Sequence, residues 1–251
     1  MADVVLLVFE GEKTELQIAR SLNEHYFSSQ PIVTSFNAEI YQLWRIIQND
    51  EDLDLLEVIK ERSLRNQSEL ADVSRDDVAQ IFLFFDYDGH ATNASDEAIT
   101  AMLAHFNNET ENGKLYISYP MVEALNHIPK SGCFNDVVVN AKCTAQASFH
   151  HYKQLVASCA TYPHIKKLQK EHWDYIVTVN LKKSNLLINE LAIFPTQEQI
   201  GSLNQAAIFA KQLEKYIPQQ LITVLSAFPF FIIEYFGENA LIELNQRQSA
   251  P

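Results

Sequence analysis

The sequence predicts an α/β protein with a mostly parallel sheet flanked by helices, followed by a helical C-terminal domain. Residues 4–9 and 80–85 are uninterrupted apolar runs, which are typical of strands buried on both faces of a parallel sheet. Helical spacing follows the first run, with apolar side chains at Ile18, Ala19 and Leu22. From about residue 140 onward the patterns are helical, without a convincing strand.

The first predicted strand ends in a polar turn. Glu10 and Gly11 directly follow the apolar run, and Gly11 permits a sharp change of direction into the helix. Thr14 is the expected N-cap of that helix. Because open α/β sheets bind their ligands at the carboxyl ends of the strands, Glu10 stands where a ligand is expected.

The next segments continue the alternation of strands and helices. Residues 31–36 contain β-branched side chains and predict a short second strand. Residues 37–49 have the apolar spacing of an amphipathic helix. Another helix is expected near residues 53–59, and the polar residues 65–68 predict a loop.

The second buried strand, residues 80–85, also runs into acidic residues. Asp86 and Asp88 follow it, and because side chains alternate along a strand, both should point to the same side while Tyr87 points away. Gly89 lets the chain leave the sheet. A helix is predicted over residues 95–106.

The remaining patterns give the domain division. Residues 114–120 form a third strand-like run that a proline ends. A helix predicted over residues 121–128 places Glu123 near its start, at the rim of the sheet. Further helices are predicted over residues 145–160, 164–181, 196–216 and 218–236. We therefore divide the chain into an α/β domain at residues 1–135 and a helical domain at residues 136–251.

The composition is that of a globular protein, with 251 residues, 47% of them hydrophobic and 20% charged. No apolar run reaches the roughly 20 residues that span a bilayer, so no membrane association is expected. The first residues lack the basic and apolar segments of a secretory signal. Three cysteines without the close pairing of a zinc site indicate reduced thiols and a cytoplasmic protein.

The net charge of −13 is unevenly distributed. Residues 1–130 carry 23 acidic and nine basic side chains, whereas residues 131–251 carry nine acidic and ten basic ones. Seven lysines fall between residues 140 and 185: Lys142, Lys153, Lys166, Lys167, Lys170, Lys182 and Lys183. A metal site and a phosphate-binding surface would produce this distribution, and so would two ordinary solvated surfaces.

The carboxylates at the strand ends are the candidate metal-binding and catalytic residues. Glu10, Asp86, Asp88 and Glu123 follow three predicted strands, and carboxylates brought together repel one another unless they are protonated or bind a cation. Oxygen ligands favour Mg²⁺ or Mn²⁺ over zinc. A divalent ion beside a phosphodiester polarises it and activates water, so phosphoryl chemistry fits this edge of the sheet.

The order of these motifs resembles the Toprim domain shared by topoisomerases, bacterial primases and several nucleases. A strand ending in Glu-Gly precedes a strand ending in Asp-x-Asp. Residues 10–15 (EGEKTE), 85–88 (FDYD) and 119–127 (YPMVEALNH) resemble the three motifs of RloB-like and OLD-like Toprim nucleases. Those proteins belong to bacterial anti-phage systems, often beside an ABC-type ATPase subunit. The resemblance covers roughly residues 4–128 and does not extend to the helical half.

The resemblance implies a Toprim-like sheet and roles for five acidic residues. Glu10 would be the general acid/base or a metal ligand, and Asp86 with Asp88 would hold the metal. Glu15 would complete a second metal site, and Glu123 matches the glutamate of the third motif. In the family such metals serve to hydrolyse DNA or RNA. The chain has no Walker-type phosphate loop, so an ATPase would be a separate chain.

Each of these residues also has an ordinary structural interpretation. Glu10 would be a solvated turn residue, and Asp86 with Asp88 would form a turn. Glu15 and Glu123 would each favour a helix N-terminus through the helix dipole.

The aromatic residues and lysines of the helical domain also have both a functional and a structural interpretation. Tyr152, Trp173 and Tyr175 lie among the lysines and would either stack on bases or pack in the interior of amphipathic helices. The lysines expected to contact the substrate are Lys13, Lys142, Lys166, Lys167 and Lys170, with an ordinary surface position as the alternative for Lys13.

We therefore predict a cytoplasmic endonuclease that depends on Mg²⁺ or Mn²⁺ and cuts DNA or RNA in anti-phage defence. A first alternative is a catalytically weak subunit that docks onto an ABC-type ATPase partner as a binding or signalling module. A second is an Mg²⁺-dependent phosphotransfer enzyme for nucleotides or small phosphates. The sequence is compatible with a homo-oligomer but does not indicate one.

Overall fold

The structure is a computed structural model that describes residues 3–27, 31–49, 53–87, 89, 95–141 and 149–248. For residues 149–151 and 238–248 it describes the backbone alone. Asp88 and Lys142 of the predicted site lie outside the described residues. The chain divides into two compact units, Met1–Leu115 and Tyr116–Pro251, so the division falls ahead of the expected boundary at residue 135.

A five-stranded, mostly parallel sheet flanked by helices confirms the predicted α/β class. Its strands have the order β2–β1–β3–β5–β4, with β1 parallel to both β2 and β3, and β4 antiparallel to β5. The elements in chain order are β1 (Val4–Phe9), α1 (Thr14–His25), β2 (Ile32–Ser35), α2 (Ile40–Asn49), α3 (Leu55–Glu61), α4 (Leu64–Glu69), β3 (Val78–Asp86), α5 (Asp96–His105), β4 (Asn107–Asn108) and β5 (Gly113–Ser118).

The strand β1 lies inside this sheet, as its apolar run predicts. Its last four residues, Leu6 to Phe9, have no exposed surface. Phe9 is level with Ser35 of β2 and with Phe84 of β3, and the Phe9 and Phe84 rings stack at 5.0 Å. Because the three strands reach the same level, the residues that follow them emerge at one edge of the sheet.

Helix α4 is tied to the sheet by a buried asparagine. The Asn66 amide donates to the carbonyls of Ser35 (3.0 Å) and Ile59 (2.8 Å), and it accepts from the Thr34 hydroxyl (2.8 Å). The Asn66 side chain thereby satisfies polar groups of the edge strand β2 and of α3.

Two predictions for the first unit are wrong. Residues 65–68, expected to be a loop because they are polar, lie in α4, since the Ser63 hydroxyl caps that helix by accepting from the Asn66 N–H. Thr14 is not the N-cap of α1, because the helix begins at Thr14 and the residue before it is Lys13, which makes no side-chain cap.

The second unit contains helices and a two-stranded antiparallel sheet of β6 with β7. Its elements are β6 (Val138–Asn140), α6 (Phe149–Cys159), α7 (Lys170–Asn189), α8 (Gln197–Ile200), α9 (Gln205–Lys215), β7 (Leu221–Thr223) and α10 (Ala227–Gln248). Gly237 interrupts α10 with a φ of 61°. Short 3₁₀ turns lie at Val122–Leu125, Phe134–Asp136 and Ile165–Lys167.

Several predicted helices are shorter than expected. Residues 121–128 contain only the 3₁₀ turn Val122–Leu125, preceded by an extended Met121. Residues 196–216 form two helices because Thr196 caps α8, in the expected capping box with Gln199, and Asn204 caps α9. The strands β6 and β7, which have three residues each, were not predicted. No helix in the described part of the chain is long and apolar enough to cross a bilayer.

The Asn66 hydrogen bonds lead to a stability prediction. Asn66→Ala leaves the Ser35 and Ile59 carbonyls and the Thr34 hydroxyl without their partner in the interior. Because each such buried group costs about 1–3 kcal/mol, we expect the free energy of unfolding in urea to fall by about 3 kcal/mol. Gln67→Ala, at an exposed position of the same helix, should change it by less than about 0.5 kcal/mol. Equal losses in both variants would contradict this role of Asn66.

Candidate functional site

Two predicted acidic residues meet where β1 and β3 end side by side. The Glu10 N–H donates to the Phe84 carbonyl (3.0 Å), and the Asp86 N–H donates to Glu10 Oε2 (3.0 Å). Both acidic residues are half-buried. The Glu10 carboxylate is therefore anchored to the backbone of the residue that carries the second carboxylate.

The Glu15 carboxylate lies over the backbone of Gly11. A Cβ added at Gly11 would stand 2.8 Å from Glu15 Oε1 and 3.1 Å from Glu15 Oε2. Residue 11 is therefore a glycine where a side chain approaches closely from the first turn of α1. The structure thus folds a second acidic side chain back onto the loop that begins with Glu10.

A third acidic residue of this loop, Glu12, holds the loop in place. Glu12 Oε1 accepts from the Asn37 amide (2.8 Å) and the Ser35 hydroxyl (3.3 Å), and it lies 3.8 Å from the Arg65 guanidinium. These contacts join the loop after β1 to the end of β2 and to α4. The sequence pattern does not indicate this role, because the partners of Glu12 are 23 or more residues away along the chain.

Tyr87 is fixed away from solvent by two helices. It is buried, its hydroxyl donates to Asp96 Oδ1 (3.1 Å) at the start of α5, and its carbonyl accepts from the Tyr41 hydroxyl (3.3 Å) of α2. Burial, and after it the Asp96 charge, raise the pKa of Tyr87. The phenol therefore stays neutral and helps to fix the backbone that follows β3.

The donor set at this edge suits a hard divalent cation. Glu10 and Asp86 offer carboxylate oxygens, and Mg²⁺ is commonly held by one or two carboxylates together with water and substrate phosphates. Within the described ranges, no group of three or more His, Cys, Asp or Glu side chains is close enough to form a metal centre. Asp88, the predicted partner of Asp86, lies outside those ranges. The two described carboxylates are oxygen donors, the ligand type that Mg²⁺ or Mn²⁺ takes, and they include none of the nitrogen or sulfur donors of a zinc site.

A cleft of about 530 Å³ lies elsewhere in the first unit. It runs between α1, the beginning of β2 and α4, and its lining includes Arg20, Ile32 and Arg65. Neither Glu10 nor Asp86 lines it. Since ligands of open α/β sheets bind at the carboxyl ends of the strands, we do not assign the candidate site to this cleft.

Glu123 belongs to the second unit, on the 3₁₀ turn Val122–Leu125. Its Oε1 lies 3.1 Å from Lys153 Nζ, and its Oε2 is buried with no hydrogen-bond partner among the described residues. The Lys153 ammonium offsets part of the Glu123 charge, and the predicted metal role of Glu123 stays a prediction.

Three side chains that carry polar groups, His127, Tyr152 and Trp173, are buried in the second unit. His127 Nδ1 and the Tyr152 hydroxyl are hydrogen-bonded at 3.1 Å, and both residues are buried. Burial, and after it the Lys183 charge, lower the pKa of His127 to about 4, so the imidazole is neutral at pH 7. With Trp173 fully buried as well, Tyr152 and Trp173 are packing residues, which was one of the two expected alternatives.

Lys183 is buried, although the sequence places it in the basic half. Its side chain is 2% exposed, its Nζ donates to the Val137 carbonyl (2.6 Å), and it lies 4.5 Å from the centre of the Phe134 ring. Burial lowers the pKa of Lys183 to about 7, and the nearby Asp136 opposes this shift. Lys183 therefore contributes to the interior and not to a phosphate-binding surface.

The lysines predicted to contact the substrate have different surroundings. Lys13 is exposed at the start of α1. Lys166 and Lys167 are exposed on the turn Ile165–Lys167. Lys170 is half-buried and paired with Asp174 at 2.6 Å, so its charge is largely neutralised locally.

Comparison of the chain with protein-family models, with curated proteins and with solved structures gives no match.

The burial of Lys183 gives a prediction for pH. The pKa of Lys183 is about 7 in the folded protein, against 10.5 for an ordinary lysine. Between pH 7 and pH 10.5 the unfolded chain therefore holds a proton on this lysine that the folded protein has lost. Stability therefore rises with pH in this window, and the cost of the buried lysine is fully present below pH 7. We expect the parent to gain about 2 kcal/mol of unfolding free energy relative to Lys183→Met between pH 7.5 and 9.5.

The measurement is urea unfolding of both proteins at several pH values. Lys182→Met, at the half-buried neighbouring position, is the matched control for the loss of a lysine side chain from α7. A pH-independent difference between Lys183→Met and the parent would show that Lys183 is charged in the folded protein.

Proposed function

We propose that the chain is a metal-dependent nuclease that hydrolyses phosphodiester bonds of DNA or RNA. The observation that carries the proposal is the contact of Asp86 N–H with Glu10 Oε2, which joins two carboxylate residues at adjacent strand ends. A catalytic carboxylate must be held in one orientation, and a backbone donor holds it without neutralising its charge.

In this proposal the acidic residues would have different roles in phosphodiester hydrolysis. Glu10 would accept a proton from the attacking water or orient that water, and Asp86 with Asp88 would supply oxygen ligands for the cation. Glu15 is the predicted further ligand in the same unit, and the predicted metal role of Glu123, in the second unit, stays a separate prediction. When bound, the divalent ion would polarise the phosphoryl group and make water a stronger nucleophile.

The motif resemblance supports a role in anti-phage defence. Residues 10–15, 85–88 and 119–127 resemble those of Toprim nucleases of anti-phage systems. We therefore propose a cytoplasmic defence nuclease, with an ABC-type ATPase as a candidate partner.

The direct test is a cleavage assay on supercoiled plasmid and total tRNA, with Mg²⁺, Mn²⁺ or EDTA. We expect metal-dependent cutting by the parent and a loss of about 100-fold or more in Glu10→Gln and Asp86→Asn. The Glu10→Gln amide oxygen can still accept from the Asp86 N–H, so this variant removes the charge and keeps the anchor. The substrate that is cut distinguishes a DNase from an RNase.

Glu12→Gln is the matched control in the same loop. Its amide oxygen can still accept from Asn37 and Ser35, so cleavage should stay within a few-fold of the parent. Binding of Mn²⁺, followed by its electron paramagnetic resonance signal, should weaken in Asp86→Asn and not in Glu12→Gln. Cutting by Glu10→Gln and Asp86→Asn at the parental rate would refute the site. Absence of cutting by the parent, with Mn²⁺ binding retained, would favour the docking or small-phosphate alternatives.

Gly11 provides a separate test of Glu15. In Gly11→Ala the new Cβ would lie 2.8 Å from Glu15 Oε1, which is too close. Because the Glu15 side chain is flexible, we expect its carboxylate to move away without a change in the fold. We expect unchanged or slightly higher stability, because alanine restricts the unfolded chain, together with cleavage reduced to the level of Glu15→Ala. The double variant should lose no more than either single variant. Parental cleavage by both single variants would leave Glu15 with its helix-dipole role alone.

A further inference from the structure

Three neighbouring rings, Tyr162, His172 and Tyr175, lie at the beginning of α7 and in the segment that follows α6, and we call them the aromatic patch. The Tyr162 ring centre lies 4.7 Å from that of His172, with 35° between the ring planes. It lies 6.1 Å from that of Tyr175, with a nearly perpendicular arrangement of 79°. Tyr175 is 46% exposed, and the other two residues are half-buried. The patch is therefore an organised surface and not part of the core.

The helix holds this patch in place. His172 and Tyr175 are three residues apart on α7, so they share one face, whereas Trp173 and Ile176 are fully buried. The Gln169 N–H donates to His172 Nδ1 (3.0 Å), which fixes the imidazole ring at the first turn. A ligand that stacks on these rings would therefore meet a surface that is already ordered.

Two lysines lie directly before this helix. Lys166 and Lys167 are exposed on the turn Ile165–Lys167, and neither forms an ion pair with another residue that the structure describes. The nearby Lys170 is neutralised by Asp174. Glu171 is an exposed acidic residue beside the patch. Burial, which is the larger cause, and the Glu171 charge together raise the pKa of the Tyr162 hydroxyl. Within residues 162–175 there are therefore two unpaired lysines against one glutamate, in a protein whose net charge is −13.

We propose that the aromatic patch, with Lys166 and Lys167, is a binding site for single-stranded nucleic acid. A single strand exposes the faces of its bases, which stack on aromatic side chains, and its phosphates attract lysines, whereas a duplex hides the base faces. The identity of the polymer rests on the proposed function, but binding at this surface requires neither metal nor hydrolysis. Tyr152 and Trp173 are buried and do not reach a ligand at the surface, so the stacking residues are Tyr162 and His172 beside Tyr175.

The test measures binding by the full chain in EDTA, so that no cutting takes place. The probes are fluorescein-labelled 20-nucleotide strands of DNA and of RNA with mixed sequence, and the DNA strand annealed to its complement, followed by fluorescence anisotropy. We expect single strands to bind more tightly than the duplex. Tyr175→Leu, which keeps an apolar side chain but removes the ring, should weaken strand binding about ten-fold, and Tyr175→Phe should stay within two-fold of the parent.

The salt dependence tests the lysines. Lys166→Gln/Lys167→Gln should reduce the slope of log affinity against log salt concentration by about 1.4, since each phosphate contact with a single strand contributes about 0.7. Lys211→Gln/Lys215→Gln is the matched control, because these lysines of α9 already lie beside Glu214 and Glu190. The control should keep the parental slope.

The outcomes separate this inference from the nuclease proposal. Loss of cleavage in Glu10→Gln with unchanged strand binding would support both. A parent that binds strands as predicted but does not cut would refute the nuclease and retain the binding site. Tyr175→Leu binding within two-fold of the parent, a parent that prefers the duplex, or equal salt slopes for the two lysine pairs would each overturn the binding site.

Discussion

The burial of β1 between two parallel neighbours is the constraint on which the first unit depends. Four successive residues of this strand have no exposed surface, so a polar side chain can appear only where the strand leaves the sheet. Ser35, the last residue of β2, and Phe84 of β3 lie level with Phe9, and β3 continues to Asp86. Glu10 and Asp86 therefore meet as a consequence of the register, and the hydrogen bond between Asp86 N–H and Glu10 Oε2 follows from it.

The sequence predicts those features that a single buried strand determines. The apolar runs of β1 and β3 identify the central strands, and the polar residue after each run identifies the carboxyl edge of the sheet. The features that it misses depend on contacts distant in sequence. Residues 65–68 of α4 are polar and by sequence alone predict a loop. Asn66 is buried there because it forms hydrogen bonds with Ser35 and Thr34, which are distant in sequence. The anchoring role of Glu12 likewise requires Asn37 to be in place.

The second unit was predicted less well for a related reason. Its strands β6 and β7 have three residues each, which is too short for an alternating pattern to be recognised. The count of lysines also gave no indication of their positions. Lys183 lies in the interior on the Val137 carbonyl, Lys170 is paired, and Lys166 and Lys167 remain exposed. A charge count over a segment therefore overstates the basic surface that a ligand would meet.

The arrangement at Glu10 has an energetic consequence for the folded protein. The loop after β1 places the acidic residues Glu10, Glu12 and Glu15 within six positions of one another, and Asp86 enters from β3. Glu12 has Arg65, Asn37 and Ser35 as neighbours, and Glu10 has a backbone N–H. A hydrogen bond from a neutral amide orients a carboxylate without neutralising it, so the contact with the Asp86 N–H leaves the charge of Glu10 in place. A cation that binds the folded state and not the unfolded chain stabilises the fold by mass action. Binding of the proposed divalent ion at Glu10 and Asp86 would therefore also raise the free energy of unfolding.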